Sequence, residues 1–504
     1  MKLFKTEQIR VLDALTIKNE PISSIELMNR AAQALFLKIQ SLIEPNARLL
    51  VLAGPGNNGG DALALARLLL EAGYRVDTFL CQPDAKVSRD TLEQLIRLQQ
   101  TEGAVIHALE SPESLTLFHT NWNYLIDGLF GTGLNRPLTG YFSGIVHWMN
   151  CQNIKTISID LPSGLFGEDN SNNLATHIVK ANLTLGLQFP RLAYLLPENE
   201  CYVGKWELLD IGIHPLAIEH TQTPYFYSQE SDIAPILKVR SQYAHKGTFG
   251  RLLIVAGSTE MTGAALLSVK GALRSGAGLV CLHIPEEVIP VIQSAIPETI
   301  VHPAEAKELN LDSYAAIAIG PGIGNNSLQL DMLQKCLKDC TCPLVLDADA
   351  LNFIAGNTQW MANIPKNSIL TPHPKEMDRL TGKTAKTGYE RLMNTLEFAQ
   401  EHSVFVVLKG AYTACIEPNG RCSFNSTGNP GMATGGSGDV LTGIIVSLMA
   451  QGYEAAEACR LGVYLHGLSG DISLNKQSLE SLIASDLAEN LGLAFKTLKN
   501  SHPL

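Results

Sequence analysis

Short β-branched runs that break into glycine- and aspartate-containing loops, each followed by a longer helical stretch, recur along the whole chain. That alternation is the strongest constraint in the sequence, because it is the pattern of an α/β fold on a mostly parallel sheet. A helix is expected over SSIELMNRAAQALFLKIQSLI, opened by a serine N-cap with Glu26 close behind. Strand RLLVLAG (48–54) then leads through a glycine-rich loop into helix DALALARLLLEAG. Strand RVDTFLC, helix TLEQLIRLQQTEG and strand AVIHA continue the series, and strands YLIDGLF (124–130) and TISIDLP (156–162) end in polar loops. A second series follows the polar, proline-containing segment 214–235, with strands RLLIVAG, GLVCLHI, AAIAIG, PLVLDAD, SILTP and VFVVLKG. The expected division is therefore near residue 220, into segments 1–220 and 221–504, each long enough for one α/β domain.

Composition narrows the function classes. The 504 residues are 45% hydrophobic and 17% charged, ordinary for a soluble globular chain. A formal net charge of −11 and a pI near 5.7 argue against nucleic acid or an acidic membrane surface as partner. The N-terminus lacks the apolar core and cleavage site of a leader, and no apolar run reaches the ~18 residues of a membrane span. Ten cysteines are sparse, and Cys336, Cys340 and Cys342 have no second Cys/His pair at zinc spacing. A reducing, cytoplasmic setting is expected.

Ligand sites in open α/β sheets lie at the carboxyl ends of strands. In the first half GPGNNGGD (54–61) sits between strand and helix, where backbone N–H groups at a helix start suit a phosphate. Asn57, Asn58 and Asp61 add side-chain oxygens; the bland alternative is a tight turn that needs glycine for conformation alone. The loop 127–137 carries Asp127, glycines and Arg136, and IDLPSG (159–164) carries Asp160 and Ser163. An aspartate at a strand end is often a turn former, but three such loops together fit one pocket better than three unrelated turns.

In the second half TGGSG (434–438) places N–H donors at a helix start, where they favour charge developing on a phosphoryl group. Asp439 follows in the first turn, placed to take a proton from an attacking hydroxyl or merely to complement the helix dipole. Lys409 ends a strand in KGAYT (409–413), a natural phosphate partner, although a lone lysine there is more often a surface residue. Loops GPGIGNN (320–326), DADALN (347–352) and TPHPKE (371–376) fill other strand ends. His373 is held extended between two prolines; Glu376 could reach a metal-bound water or lie on an exposed helix start. Any metal here should be Mg2+ arriving with nucleotide phosphates.

AHKGTFGRLLIVAGSTEMTGAALLSVKGALRSGAGLV, GPGIG, LDADALN, TPHPKEM, KGAYT and NPGMATGGSGDVLTG follow the order of the ADP/ATP-dependent NAD(P)H-hydrate dehydratases, which are ribokinase-like. GPGNNGGDAL, DGLFGTGL and SIDLPSGL resemble the NAD(P)H-hydrate epimerase domain, a Rossmann-like three-layer α/β fold. The whole chain resembles the fused bifunctional NAD(P)H-hydrate repair enzymes, departing where the histidine loop reads TPHP instead of NPHP.

In the epimerase half the resemblance implies that Asn57, Asn58, Gly59, Gly60 and Asp61, with Gly131, Thr132, Gly133, Leu134, Asn135, Arg136 and Pro137, hold hydrated NADH or NADPH (NADHX, NADPHX). It further implies that Asn58, Asp127 and Ser163 ligate K+, and that Asp160 assists R/S interconversion. In the dehydratase half Gly263, Gly322, His373 and Asp439 would contact the hydrate. Lys409, Gly410, Ala411, Tyr412, Thr413 and Gly438 would bind ADP or ATP with Mg2+. Asp439 would help the hydrate hydroxyl take a phosphoryl group, which then leaves as phosphate. A homo-oligomer is expected. The competing reading is a vitamin-precursor kinase of the same fold carrying a non-catalytic N-terminal scaffold.

Overall fold

The computed structural model describes residues 1–504 except 83–85, 118–120, 306–308, 326 and 501–504, so Asn326 of the loop 320–326 lies outside the described residues. The chain forms two compact units: Lys2–Thr223 with Thr387–Tyr389, and Met1 with Pro224–Lys386 and Glu390–Leu504.

The first unit is built on parallel strands β1 (Arg48–Ala53), β2 (Arg75–Cys81), β3 (Val105–Leu109), β4 (Tyr124–Gly128), β5 (Lys155–Ile159), β6 (Leu183–Leu187) and β7 (Lys205–Leu209). Their order is β3-β2-β1-β4-β5-β6-β7. Successive side chains of a strand point to opposite faces, and β1 shows the consequence. Leu49, Val51 and Ala53 enter one core with Leu35, Ile39 and Leu63, whereas Leu50 and Leu52 enter another with Ile145, Val146 and Met149. A sheet covered on both faces gives three layers, as expected for a Rossmann-like domain. The order reverses between β1 and β4, so the loops after these two strands diverge and leave a crevice between them.

The second unit has strands β8 (Tyr225–Ser228), β9 (Arg251–Val255), β10 (Leu279–Ile284), β11 (Ile300–Pro303), β12 (Ala316–Ile319), β13 (Leu344–Leu346), β14 (Ile369–Leu370), β15 (Phe405–Leu408), β16 (Ala414–Ile416) and β17 (Cys422–Asn425). Within the unit they run β8-β17-β16-β15-β14-β13-β12-β9-β10-β11. Pairing is parallel except at β15–β16 and β16–β17. Helix Ser437–Ala450 is buried along most of its length against helix Thr262–Arg274. Glycine permits that approach: a Cβ on Gly443 would stand 1.9 Å from the Ser268 carbonyl, and one on Gly271 2.4 Å from that of Val440.

Several expectations need correction. The helix placed from Asp61 begins at Asn57, so the whole NNGGD stretch is its first turn. The N-terminal stretch contains helix Thr6–Asn19, which its weak apolar periodicity hid. Segment 214–235 is not only a connector: it holds helix Pro215–His220 and β8, which pairs with β17. The opening helix runs Ser24–Gln40, with Ser23 as N-cap and Glu26 closing a capping box.

Candidate active sites

In the first unit, glycine sets how closely the strand ends approach. Gly54 N donates to the Gly128 carbonyl at 3.1 Å, and a Cβ on Gly54 would meet the Leu129 carbonyl at 2.0 Å. A Cβ on Gly59 would stand 1.8 Å from the Gly54 carbonyl, and one on Gly60 2.7 Å from the Met28 side chain. The helix start is thereby pressed onto the β1 and β4 loops. A Cβ on Gly131 would lie 3.0 Å from Asn58 Oδ1 and 3.4 Å from Asp160 Oδ2, so Asn58, Gly131 and Asp160 converge. In the rest of that loop Asn135 and Arg136 project outward, and Gly133 lies under Arg10, 3.8 Å from Nη2 by the same measure.

Asp127 is fully buried behind this point. Its Oδ2 accepts Ser158 Oγ and Ser163 N, each at 2.8 Å, and its Oδ1 accepts Ser163 Oγ at 2.5 Å. Burial raises its carboxyl above the ordinary range against the pull of these bonds. Asp160, also buried, sits at φ +62, a left-handed conformation that costs energy for any residue with a Cβ.

Two residues that sequence reasoning passed over hold Asp160. Arg191 Nη2 and Nε donate to its Oδ1 at 2.6 and 3.2 Å, and the Tyr194 hydroxyl donates to its backbone carbonyl. Their signal was present: Arg191 is a lone charge inside FPRLAYLL, which demands a buried partner. Two further acids feel this centre. Asp13, on the N-terminal helix, is raised to about 6, mainly by burial, with Arg191 opposing and Asp160 adding. Asp61 is pushed well above the usual carboxylate range by burial, then by Asp160 and Asp13.

In the second unit helix Ser437–Ala450 starts from Gly436 at φ +91. The first amides of a helix lack intrahelical acceptors, and here those of Gly438 and Asp439 belong to that first turn. Lys409 Nζ lies beside them, 3.3 Å from where a Cβ on Gly438 would be. The ammonium donates to Asp347 Oδ1 at 2.8 Å, and Thr442 Oγ1 donates to Asp347 Oδ2 at 2.7 Å. Burial pulls Lys409 down, but Asp347, then Glu376 and Asp439, outweigh it and hold the ammonium firmly charged. Its side chain keeps 22% exposure, enough to meet a ligand. Burial raises Asp439 to about 7, with Asp347 and Asp349 adding and Lys409 opposing.

The other expected residues gather unevenly. Gly322, at φ +62, packs its Cα against Met261 and Ala264, which brings it beside Gly263, where nothing stands within 4 Å of a built Cβ. Asp349 Oδ2 accepts the Gly324 amide at 2.9 Å and fixes that loop. Gly410, Ala411, Tyr412 and Thr413 form the turn between β15 and β16, closed by Thr413 Oγ1 to the Gly410 carbonyl at 3.0 Å. His373 caps helix Pro374–Thr381: its Nδ1 accepts the amides of Lys375 and Glu376 at 3.1 and 3.3 Å. Glu376 is not on an exposed helix start; it is buried, accepts the His373 amide at 2.7 Å and lies 3.3 Å from Nε2. His466, unforeseen, stands 3.3 Å from Ser437 Oγ and is lowered to about 4 by burial, so it supports the glycine loop as a neutral ring.

A family profile described as NAD(P)H-hydrate dehydratase matches residues 252–492, and one described as YjeF-related protein N-terminus matches residues 24–193. The bifunctional NAD(P)H-hydrate repair enzyme of Moorella thermoacetica is 33% identical, covering 99% of this chain and 97% of that protein. Its counterpart in Thermofilum pendens is 32% identical over the same shares. The solved ADP/ATP-dependent NAD(P)H-hydrate dehydratase from Bacillus subtilis, co-crystallised with ATP and Mg2+, is 34% identical with a TM-score of 0.49, covering 54% of this chain and 98% of that one. The expected pairing of a Rossmann-like and a ribokinase-like α/β unit is borne out. With a match of this identity running from end to end, the chain belongs to the family of bifunctional NAD(P)H-hydrate repair enzymes.

Proposed function

We propose that the first unit interconverts the R and S hydrates of NADH and NADPH, and that the second dehydrates the S form at the expense of ADP or ATP. The observation that carries the dehydratase reading is a base and a phosphate anchor at one helix start: Asp439, raised to about 7, and the Lys409 ammonium against Gly438. Hydroxide leaves carbon poorly, whereas phosphate leaves readily. Asp439 takes the proton of the C6 hydroxyl as its oxygen attacks the terminal phosphoryl group. Lys409 and the first-turn amides meet the charge that develops in transfer. The ring nitrogen's electron pair then expels phosphate from C6, and loss of a C5 proton restores the reduced nicotinamide. Mg2+ would arrive with the nucleotide and would supply charge screening of its phosphates. Gly263, Gly322 and His373 would seat the hydrate, and Lys409–Thr413 with Gly438 the nucleotide.

In the first unit Asp160 is the acid–base residue, supported by its strained backbone and its convergence with Asn58 and Gly131. Protonating the C6 oxygen lets the ring nitrogen expel water; water returning on the other face, deprotonated by the same carboxylate, gives the other epimer. The first turn Asn57–Asp61 and the loop Gly131–Pro137 would hold the dinucleotide. A K+ ion would be held by oxygens, Asn58 Oδ1, the buried Asp127 carboxylate and Ser163 Oγ, and Ser163 Oγ can turn to the Phe130 carbonyl at 3.1 Å, opening Asp127 Oδ1. Such an ion would balance the buried Asp127 carboxylate.

The test is incubation of mixed R and S hydrates with ADP or ATP, following the absorbance of reduced nicotinamide and free phosphate. Full conversion of both epimers with release of phosphate is expected. Recovery of the S fraction alone would sink the epimerase reading, and a stable phosphorylated product would return the chain to the vitamin-precursor kinases.

A further inference from the structure

We propose that Arg191 is a positioning residue of the epimerase site, gripping one oxygen of Asp160 so that the other faces the substrate loop. The inference rests on the reading that Asp160 works on the hydrate, and it goes beyond that reading by saying what aims the carboxylate. A structural arginine–carboxylate pair satisfies itself side by side, two donors on two oxygens. Here the guanidinium engages end-on: Nε and Nη2 both donate to Oδ1, at 3.2 and 2.6 Å, and the Leu187 amide adds a weak third bond to Oδ1 at 3.4 Å. Among the described residues no hydrogen bond goes to Oδ2. That oxygen lies 3.4 Å from the Cβ position of Gly131, in the loop Gly131–Pro137.

The arrangement leaves a second mark. Arg191 is 2% exposed, and its Nη1 is buried with no hydrogen-bond partner. Unsatisfied buried donors are rare in folded chains and call for a reason. Turning the guanidinium to satisfy Nη1 on Oδ2 would consume the oxygen that faces the loop. The backbone is pinned as well: the Tyr194 hydroxyl donates to the Asp160 carbonyl, and the Asp160 amide donates to the Leu185 carbonyl at 2.8 Å. Both ends of Asp160 are therefore fixed from β6 and the segment after it, and one carboxylate oxygen is left for chemistry.

The full chain is its own control, because nucleotide-driven loss of the S hydrate reports the second unit while the slower loss of the R hydrate, corrected for uncatalysed interconversion, reports the first. Arg191→Met should lower the kcat of epimerisation by about 100-fold, keep KM for the R hydrate within about threefold, and leave the S phase untouched. Arg191→Lys, which keeps the charge without the fork, should give an intermediate kcat with native KM. A raised KM with native kcat would make Arg191 a substrate ligand and overturn the proposal, as would native kcat in Arg191→Met. If that variant fails to fold in its first unit, Arg191→Lys decides: intermediate kcat with native KM upholds the proposal, and native kcat or raised KM overturns it. Native epimerisation in Asp160→Asn would instead remove the reading of Asp160 itself.

Discussion

Asp439→Asn tests two consequences of one buried carboxylate. Burial, reinforced by Asp347 and Asp349 and opposed by Lys409, lifts Asp439 from 3.8 to about 7. Across that window the folded chain keeps a proton that the unfolded chain has lost, so stability falls as pH rises and levels off above about 7. Two units of the window lie above about pH 5, and at about 1.36 kcal/mol each they amount to roughly 3 kcal/mol. An amide in the same place does not titrate. The stability of Asp439→Asn relative to the native chain should therefore rise by roughly 3 kcal/mol between about pH 5 and about pH 8. Hydrogen exchange of the amides of helix Ser437–Ala450 in the full chain reads it. The same variant should lose about 10²- to 10⁴-fold in dehydratase rate while epimerisation persists, and the native dehydratase should fall about tenfold per unit below about pH 7. A stability difference that does not change between the two pH values, or a native rate that is flat across them, would refute the reasoning.

Lys409→Met removes the cation that holds Asp439 down, so the acid limb of the dehydratase pH–rate profile should move to higher pH and KM for the nucleotide should rise. Gly59→Ala would set a Cβ 1.8 Å from the Gly54 carbonyl; mixed hydrates should then stop converting at the S fraction, read as the absorbance plateau. Ser163→Ala strips two hydrogen-bonding contacts of its hydroxyl from around Asp127 and Phe130. It should cost the first unit about 1–3 kcal/mol in urea titration and abolish any rise in melting temperature produced by KCl against choline chloride.

Much of both candidate sites was legible because their residues are written locally. Gly54–Asp61 and Asp160–Ser163 are short runs whose glycines and acids follow a β-branched strand, and strand ends are where such sheets bind ligands. The turn Gly435–Gly438 is equally local, a cluster of small residues directly before an apolar helix. Less was legible where contacts cross the chain. Arg191 meets Asp160 from 31 residues away, and Lys409 meets Asp347 from 62. Strands Leu183–Leu187 and Ala414–Ile416 went unread because each is short and takes its stability from neighbours in the sheet rather than from its own pattern. His373 read as a ligand, and the structure shows it capping a helix, a role that spacing does not reveal.

The sequence by itself determined the alternation of strand and helix, the two-part organisation and the residue types at the strand ends, because propensity, turn chemistry and side-chain period act over a few neighbours. Only the tertiary structure decided the burial and charge pairing around those residues. Asp439 is ordinary until burial and Asp347 raise it to about 7. Asp160 is a turn aspartate until Arg191 takes one of its oxygens and leaves the other toward Gly131. Desolvation and charge pairing are properties of what folding brings alongside a residue, and no window of sequence contains them.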